Sequence, residues 1–268
     1  MNQVKNKRLI ICLICFLSVI TFSLFIFLIT YLRGDINFKK GIISFGSKSS
    51  NVTLDKTFKI DDVHNIEIKQ DAGDIIFRET SDDNIRVLVY GENENNVNVS
   101  LHQNNLNIYY THKPRFGLFS FRNIKNDIIV YIPSNYSNGI KIKNDYGNCE
   151  MLDLENAKVN IDIDAGNVEL GKINNATIKC DSGNVEVKEI LNKCDIKADC
   201  GNIKINKMLI VEDSIIKADL GNVEIGETND IYIDANVDLG NININKNNKN
   251  SNITLKIYSS LGNISISK

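Results

Sequence analysis

The chain has 268 residues, 43% of them hydrophobic, and 31 Lys and Arg against 33 Asp and Glu give a formal net charge of −2 at pH 7. This size and composition allow a sizeable core in one long or two short domains. A chain without a basic excess lacks the electrostatic surface that binds nucleic acid, so we exclude nucleic acid as a partner.

The first feature along the chain is an apolar stretch over residues 9–32 that contains no charged residue, Pro or Gly. At ~1.5 Å per residue, a helix of this length crosses a hydrocarbon layer of ~30 Å. A secretory signal peptide would have a shorter apolar core followed by a small-residue cleavage site. We therefore expect an uncleaved transmembrane anchor.

Basic residues around this stretch predict its orientation. Lys5, Lys7 and Arg8 precede it, whereas the basic residues after it are spread more thinly. This bias favours a cytoplasmic tail over residues 1–8, with the rest of the chain outside the cell membrane. Removing these three residues from the 31 basic ones leaves 28 against 33 acidic ones, so the exterior has a net charge of about −5.

Two segments follow the predicted anchor. Residues 33–50 mix Gly, Ser and Lys without periodicity and are predicted to form a linker. Residues 51–143 contain short alternations such as "NIEIKQ", "IRVLVYG" and "DIIVYIP", which are typical of β-strands. We interpret this part as the irregular N-terminal β part of a longer repeat, because "DAGDI" at 71–75 resembles the phrase that recurs later.

Residues 144–268 repeat the phrase Asp-x-Gly-Asn, with the glycines 17 to 22 residues apart. A unit of ~19 residues with strand alternation on both sides predicts an all-β fold, a parallel β-solenoid with one coil per repeat. The predicted structural corners are Asp145, Gly147, Asp164, Gly166, Asp181, Gly183, Asp199, Gly201, Asp219, Gly221, Asp238, Gly240 and Gly262.

Apolar residues at alternate positions predict the core of the stacked coils, with counterparts ~4.8 Å apart. Before the corner, the predicted column contains Ile142, Ile163, Ile178, Ile196, Ile216 and Ile257. After the corner, the first predicted column contains Val168, Val185, Ile203, Val223, Ile242 and Ile264. The second contains Leu170, Val187, Ile205, Ile225, Ile244 and Ile266.

The corner phrase has a structural explanation and a rival metal-binding one. Asp can hydrogen-bond the backbone two residues on, Gly accepts positive φ, and Asn can bond the Asn of the next coil.

A row of carboxylates could instead bind Ca²⁺. Calcium-binding solenoids carry acidic turns about every nine residues rather than every ~19, however. Lysines two positions before four of the Asp residues would also partly neutralise the row: Lys143, Lys179, Lys197 and Lys217. We predict structural corners with no metal and no cofactor, and keep the calcium row as the alternative.

No motif for catalysis accompanies the repeat. Cys149, Cys180, Cys194 and Cys200 match positions that hold small or apolar residues in other coils, so we expect buried small hydrophobic side chains. The coils are too short to carry the long loops that hold the active sites of β-helical polysaccharide lyases. We therefore predict a protein that is not an enzyme and has no small-molecule substrate, with a carbohydrate-active enzyme as one alternative.

One aromatic and basic segment, residues 111–125, departs from the acidic background. It either caps an end of the sheet or contacts an anionic membrane surface or a partner protein. The candidate contact residues are Lys113, Arg115, Phe116, Phe119, Phe121 and Arg122.

The order of "NIEIKQDAGDIIF", "DIIVYIP" and serial D-x-G-N-[VI]-x-[VIL] turns resembles a bacterial β-strand-repeat domain of unknown function. This "putative adhesin" domain includes LiaG-like envelope proteins, and the resemblance covers residues 55–268. It implies a membrane-tethered β-solenoid of the cell envelope and supplies no catalytic, metal or cofactor residues. We expect an adhesin-like interaction module that contacts a cell-wall polymer or an envelope protein. The alternative is an accessory protein of a system that senses envelope stress.

Overall fold

The computed structural model describes residues 36–39, 42–45, 52–91, 96–110 and 127–267. The chain divides into two compact units, residues 1–48 and 49–268. The first contains an antiparallel pair, β1 (Ile36–Lys39) and β2 (Ile42–Phe45), inside the segment predicted as a linker. The predicted anchor over residues 9–32 lies outside the described residues. Within the described ranges, no helix is long and apolar enough to span a bilayer.

The second unit is one sheet of 19 strands. Its first part contains β3 (Val52–Lys59), a short 3₁₀ turn (Ile60–Asp62), β4 (Asn65–Ala72), β5 (Ile75–Thr80), β6 (Asn84–Tyr90), β7 (Val97–His102) and β8 (Asn105–Tyr110). Then come β9 (Asp127–Pro133), β10 (Gly139–Tyr146), β11 (Cys149–Met151), β12 (Leu154–Ala165), β13 (Val168–Ser182) and β14 (Val185–Cys200). The last strands are β15 (Ile203–Met208), β16 (Ser214–Leu220), β17 (Val223–Thr228), β18 (Tyr232–Leu239), β19 (Ile242–Ile244), β20 (Thr254–Leu261) and β21 (Ile264–Ile266). The described residues contain no α-helix, which confirms the predicted all-β class.

Two columns of parallel strands make up most of the unit, and a Gly corner joins them in eight of the coils. The strands before the corner stack in the order β8, β4, β10, β12, β13, β14, β16, β20, β18. The strands after the corner stack as β9, β5, β11, β13, β14, β15, β17, β21, β19. The long strands β13 and β14 contribute to both columns, and the stacked coils make the fold solenoid-like.

The N-terminal end of the stack is not parallel. Strand β7 pairs antiparallel with β8, and β6 pairs antiparallel with both β9 and β3. The β7–β8 hairpin turns at Gln103 and Asn104, which have φ of 48° and 62°. A two-residue turn with two positive φ values is the hairpin type that fits the twist of antiparallel strands, so this end departs from the predicted parallel solenoid.

The coils do not stack in chain order at the C-terminal end. Leu261 lies in register with Leu220 on one side and with Leu239 on the other. The last coil of the chain is therefore inserted between its two predecessors. The corner glycines stack as Gly73, Gly147, Gly166, Gly183, Gly201, Gly221, Gly262 and Gly240, and all eight have φ between 137° and 156°. Residues 229–250, the terminal coil, consequently lie at the end of the stack.

The inward columns of the coils form the core, as predicted, with one error in their membership. Ile142 lies in register with Ile161 and not with Ile163, and Ile161 continues to Ile178. Ile163 belongs to the next inward position, beside Asn144 and Cys180. The prediction was wrong because Ile161 and Ile163 both point inward, and only counting back from the glycine separates them. The two columns after the corner contain the predicted residues in the revised stacking order.

Candidate interaction surfaces

The corner glycine is required by the close approach of adjacent coils. Gly183 has φ +151°, and a Cβ added to it would lie 1.9 Å from the carbonyl oxygen of Gly166. Its N–H donates to the carbonyl of Cys200 at 2.9 Å, so both sides of the corner contact backbone. The same arrangement recurs along the stack, which explains why Gly occupies this position in every repeat.

The Asn after each glycine holds neighbouring corners together. Asn202 donates its backbone N–H to Oδ1 of Asn184 at 2.9 Å and its side-chain amide to the same oxygen at 3.3 Å. The series begins at Asp74, which accepts the N–H of Asn148 at 2.9 Å, and it ends at Asn241. These hydrogen bonds confirm the predicted exchange between Asn side chains, so this row joins neighbouring coils of the fold.

The Asp row contacts lysine. Lys179 lies 2.8 Å from Asp181, and Lys197 lies 2.7 Å from Asp199. At these two corners an ion pair replaces the predicted hydrogen bond to the backbone two residues on. Within the described part of the chain, no group of three His, Cys, Asp or Glu side chains is placed to hold a metal ion.

The inserted coil also interrupts the predicted row of corner carboxylates. Because of the inserted coil, Ser260 stands between Asp219 and Asp238 in the stack. Further along the row, the pKa of Asp145 is raised by burial and then by the nearby negative charges, Asp164 foremost. Lys143 acts in the opposite direction and lowers this pKa, but it does not cancel burial and the neighbouring carboxylates.

The residue before each corner glycine forms a ridge along the edge of the stack. In stacking order this corner ridge consists of Ala72, Tyr146, Ala165, Ser182, Cys200, Leu220, Leu261 and Leu239. Tyr146 is 65% exposed, and the three leucines are between 52% and 68% exposed. The repeat therefore presents a variable ridge that becomes apolar toward the terminal coil, a feature that was not noticed in the sequence.

A second surface is a shallow cleft of about 390 Å³ near the antiparallel end. Tyr131 lines it and lies in register between Arg86 on β6 and Arg78 on β5. Arg86 donates two hydrogen bonds of 2.9 and 2.6 Å to the carboxylate of Asp55, and this pairing lowers the pKa of Asp55. The remaining lining residues are Thr57, Glu79, Thr80, Ser81, Asp82 and Asn84.

The predicted contact residues on the aromatic and basic segment cannot be added to either surface. Lys113, Arg115, Phe116, Phe119, Phe121 and Arg122 all lie outside the described residues. The segment connects β8, which ends at Tyr110, with β9, which begins at Asp127. Both strands belong to the antiparallel end of the stack, opposite the terminal coil.

Comparison with known proteins identifies the family. Residues 63–268 match the family described as Toastrack DUF4097. The chain belongs to this family. Among curated proteins, none matches the chain.

Solved structures similar to this Toastrack chain include a "putative adhesin" from Bacteroides fragilis, at 15% identity and a TM-score of 0.48, over 82% of this chain and 98% of that one. A "putative lipid binding protein" from Parabacteroides distasonis matches at 16% identity and a TM-score of 0.41, over 82% and 98%. A "putative cell adhesion protein" from Clostridium sporogenes matches at 13% identity and a TM-score of 0.35, over 80% and 97%. The family match confirms the resemblance seen in the sequence.

The cysteines of the Toastrack domain take the positions predicted from the repeat. Cys149, Cys180 and Cys194 are buried, which confirms that expectation for three of them, whereas Cys200 is exposed on the corner ridge. All four are free thiols. Burial raises the pKa of Cys149 and Cys194 to about 12 and that of Cys180 to about 11. The buried thiols are therefore poor nucleophiles at neutral pH.

Proposed function

We propose that this Toastrack chain is an adhesin-like interaction module of the bacterial cell envelope. In this proposal residues 9–32 anchor it in the cell membrane with the N-terminus in the cytoplasm, and residues 49–268 lie outside. The uncharged apolar stretch and the basic residues before it support the placement. We further propose that it is not an enzyme and acts by contact with a wall polymer or an envelope protein.

The cleft at Tyr131 is the observation that carries the proposal. An aromatic ring edged by hydroxyl, amide and carboxylate groups suits a saccharide, whose ring stacks on the aromatic face while its hydroxyls bond the rim. Here Thr57, Ser81 and Asn84 supply the polar rim around Tyr131. The contact partner that fits this lining is the glycan of the cell wall.

The charges at the cleft favour a neutral glycan over an anionic polymer. Arg86 is engaged by Asp55, and Arg78 is engaged by Glu150 with one contact of 3.2 Å. Glu79 and Asp82 add two further carboxylates to the lining. An anionic polymer would meet this negative charge without a free arginine to offset it, so repulsion would weaken its binding.

The composition of residues 111–125 favours a second candidate function, an accessory protein of a system that senses envelope stress. Three Phe among Lys and Arg in an acidic chain suit contact with an anionic membrane surface or a membrane protein. Replacing Phe116, Phe119 and Phe121 by Ser would remove that contact and leave the strands on either side unchanged.

Co-sedimentation with isolated wall sacculi and with membranes from the same cell distinguishes these functions. We expect residues 49–268 to be retained on sacculi, also after the anionic polymers have been extracted and with or without Ca²⁺. Tyr131→Ser should abolish retention, whereas Tyr258→Ser, an exposed tyrosine on another face, should not. Retention on membranes alone would favour the accessory function through residues 111–125. Retention on neither would refute the adhesin-like function.

A further inference from the structure

The terminal coil has a partner on one side only. Within the part of the chain that the structure describes, β18 pairs with β20 and β19 pairs with β21, and neither has a second neighbour. Asn241 accepts at its carbonyl from the N–H of Ile264, and Asn245 donates to the carbonyl of Ile266. Because alternate residues of a parallel strand face opposite edges, the backbone groups of Ile242 and Ile244 point to the open side.

The core is uncovered at the same place. Ile242 is 42% exposed, whereas Ile264 and Val223, which precede it in the same inward column, are fully buried. Leu239, the last residue of the corner ridge, is 68% exposed. A solenoid end of this kind requires a polar cap to stay soluble, and residues 239–244 carry none.

A polar cap covers the other part of the terminal coil, at residues 231–233. The side chain of Asn247 accepts from the N–H of Ile233 at 2.9 Å and donates to its carbonyl at 2.8 Å. Asn248 donates its backbone N–H to Ile231 at 3.0 Å. These contacts occupy the strand edge at residues 231–233 and block pairing there. Residues 239–244 have no comparable cover among the described residues.

The opposite end of the stack presents a different surface, because its edge strands β3 and β7 each pair antiparallel with one described strand and belong to neither column of coils. Strand β7 covers the edge of β8, and β6 with β3 covers the edge of β9. Each inner coil buries a backbone edge, a core column and a ridge residue against its neighbour. Among the described strands, residues 239–244 are the one place where all three are left uncovered. The surface that matches it is the same end of another chain, because a two-fold axis brings like strand edges together antiparallel.

We propose that a second copy of this chain binds the terminal coil end to end, with Leu239, Ile242 and Ile244 at the centre of a two-fold interface. The leucines Leu220, Leu261 and Leu239 of one copy then continue into Leu239 of the partner copy. The interface covers the same backbone edge and core column that each inner coil buries against its neighbour, with antiparallel instead of parallel pairing. It is independent of the proposed glycan contact, since the Tyr131 cleft lies near the other end.

The test uses residues 49–268, whose single sheet and core include no strand from residues 1–48. Sedimentation velocity over a dilution series should show a monomer–dimer equilibrium for the wild-type sequence. Leu239→Asp places two like charges at the two-fold axis and should raise the dissociation constant about a hundredfold. Tyr146→Asp is the matched control, because Tyr146 occupies the same ridge position, is 65% exposed and lies far from the end.

A second readout does not depend on any variant. Amide hydrogen exchange at Ile242 and Ile244 should slow as the wild-type concentration rises, while exchange at Asn243, which faces β21, should stay constant. A monomer at every concentration, or a dimer that Leu239→Asp leaves intact, overturns the proposal. Loss of the dimer in both Leu239→Asp and Tyr146→Asp also overturns the proposal, because the effect would then not be specific to the terminal coil.

Discussion

Replacing a corner glycine by alanine tests the corner geometry. In Gly183→Ala the new Cβ would lie 1.9 Å from the carbonyl oxygen of Gly166, and reaching 3.0 Å requires a shift of at least 1.1 Å. The coils at this corner are joined by bonds of 2.9 Å, such as that from Asn184 to Asn167 Oδ1, which such a shift would break. Two or three lost hydrogen bonds at about 1 kcal/mol each and backbone strain of about 1–3 kcal/mol give a destabilisation of about 3–6 kcal/mol.

Thermal unfolding of residues 49–268 measures this effect, and we expect the midpoint to fall by about 10 °C. Gly139→Ala is the control, because its new Cβ would meet the end of a flexible side chain, Asn65 Oδ1, and Gly139 has no positive φ. Its destabilisation should stay below about 1 kcal/mol. Equal effects of the two substitutions, or a loss below about 1 kcal/mol for Gly183→Ala, would refute the corner geometry.

Three further predictions concern charge, thiols and metal. The pKa of Asp145 is raised in the folded chain, so its ionisation lowers the free energy of unfolding as pH rises above the ordinary value of 3.8. Asp145→Asn should therefore raise the unfolding midpoint at pH 7, and the difference from the wild-type midpoint should disappear in acid. A smaller gain at pH 7 than in acid would contradict the raised pKa of Asp145. Of the four thiols in residues 49–268, Cys200 alone should react with a thiol reagent in the native state, and all four should react in denaturant; rapid native labelling of Cys194 would contradict its burial. Adding Ca²⁺ or a chelator should leave the unfolding midpoint unchanged, because Lys179 and Lys197 already pair with the Asp row; a rise with Ca²⁺ would favour the calcium alternative.

The repeating part of the fold could be predicted because its signals are local. A glycine that needs positive φ, an Asn that bonds its counterpart and alternate β-branched residues each leave a pattern within a few positions. The error at Ile163 arose where two inward isoleucines follow each other two residues apart. Alternation predicts the face of a strand, but it does not by itself fix the register between coils.

The order of the coils and the surfaces could not be predicted from the repeat. Leu220, Leu239 and Leu261 occupy the same position of nearly identical phrases, so each could stack on either of the others. The order depends on where the loop after β19 returns the chain, which is a tertiary property. The Tyr131 cleft likewise depends on antiparallel pairing between β6 and β9, and residues so far apart in sequence leave no local pattern.

Disulfide pairing within the leucine ridge tests the stack most directly. In residues 49–268 with Cys200→Ser, the pair Leu220→Cys and Leu261→Cys occupies neighbouring coils, ~4.8 Å apart, within the range that a disulfide bridges. The pair Leu220→Cys and Leu239→Cys is two coils apart, at ~9.6 Å, and out of reach. We expect mild oxidation to close the first pair within one chain and leave the second open. Closure of the second pair and not the first would show that the coils stack in chain order, which would contradict the inserted coil and the open end built on it.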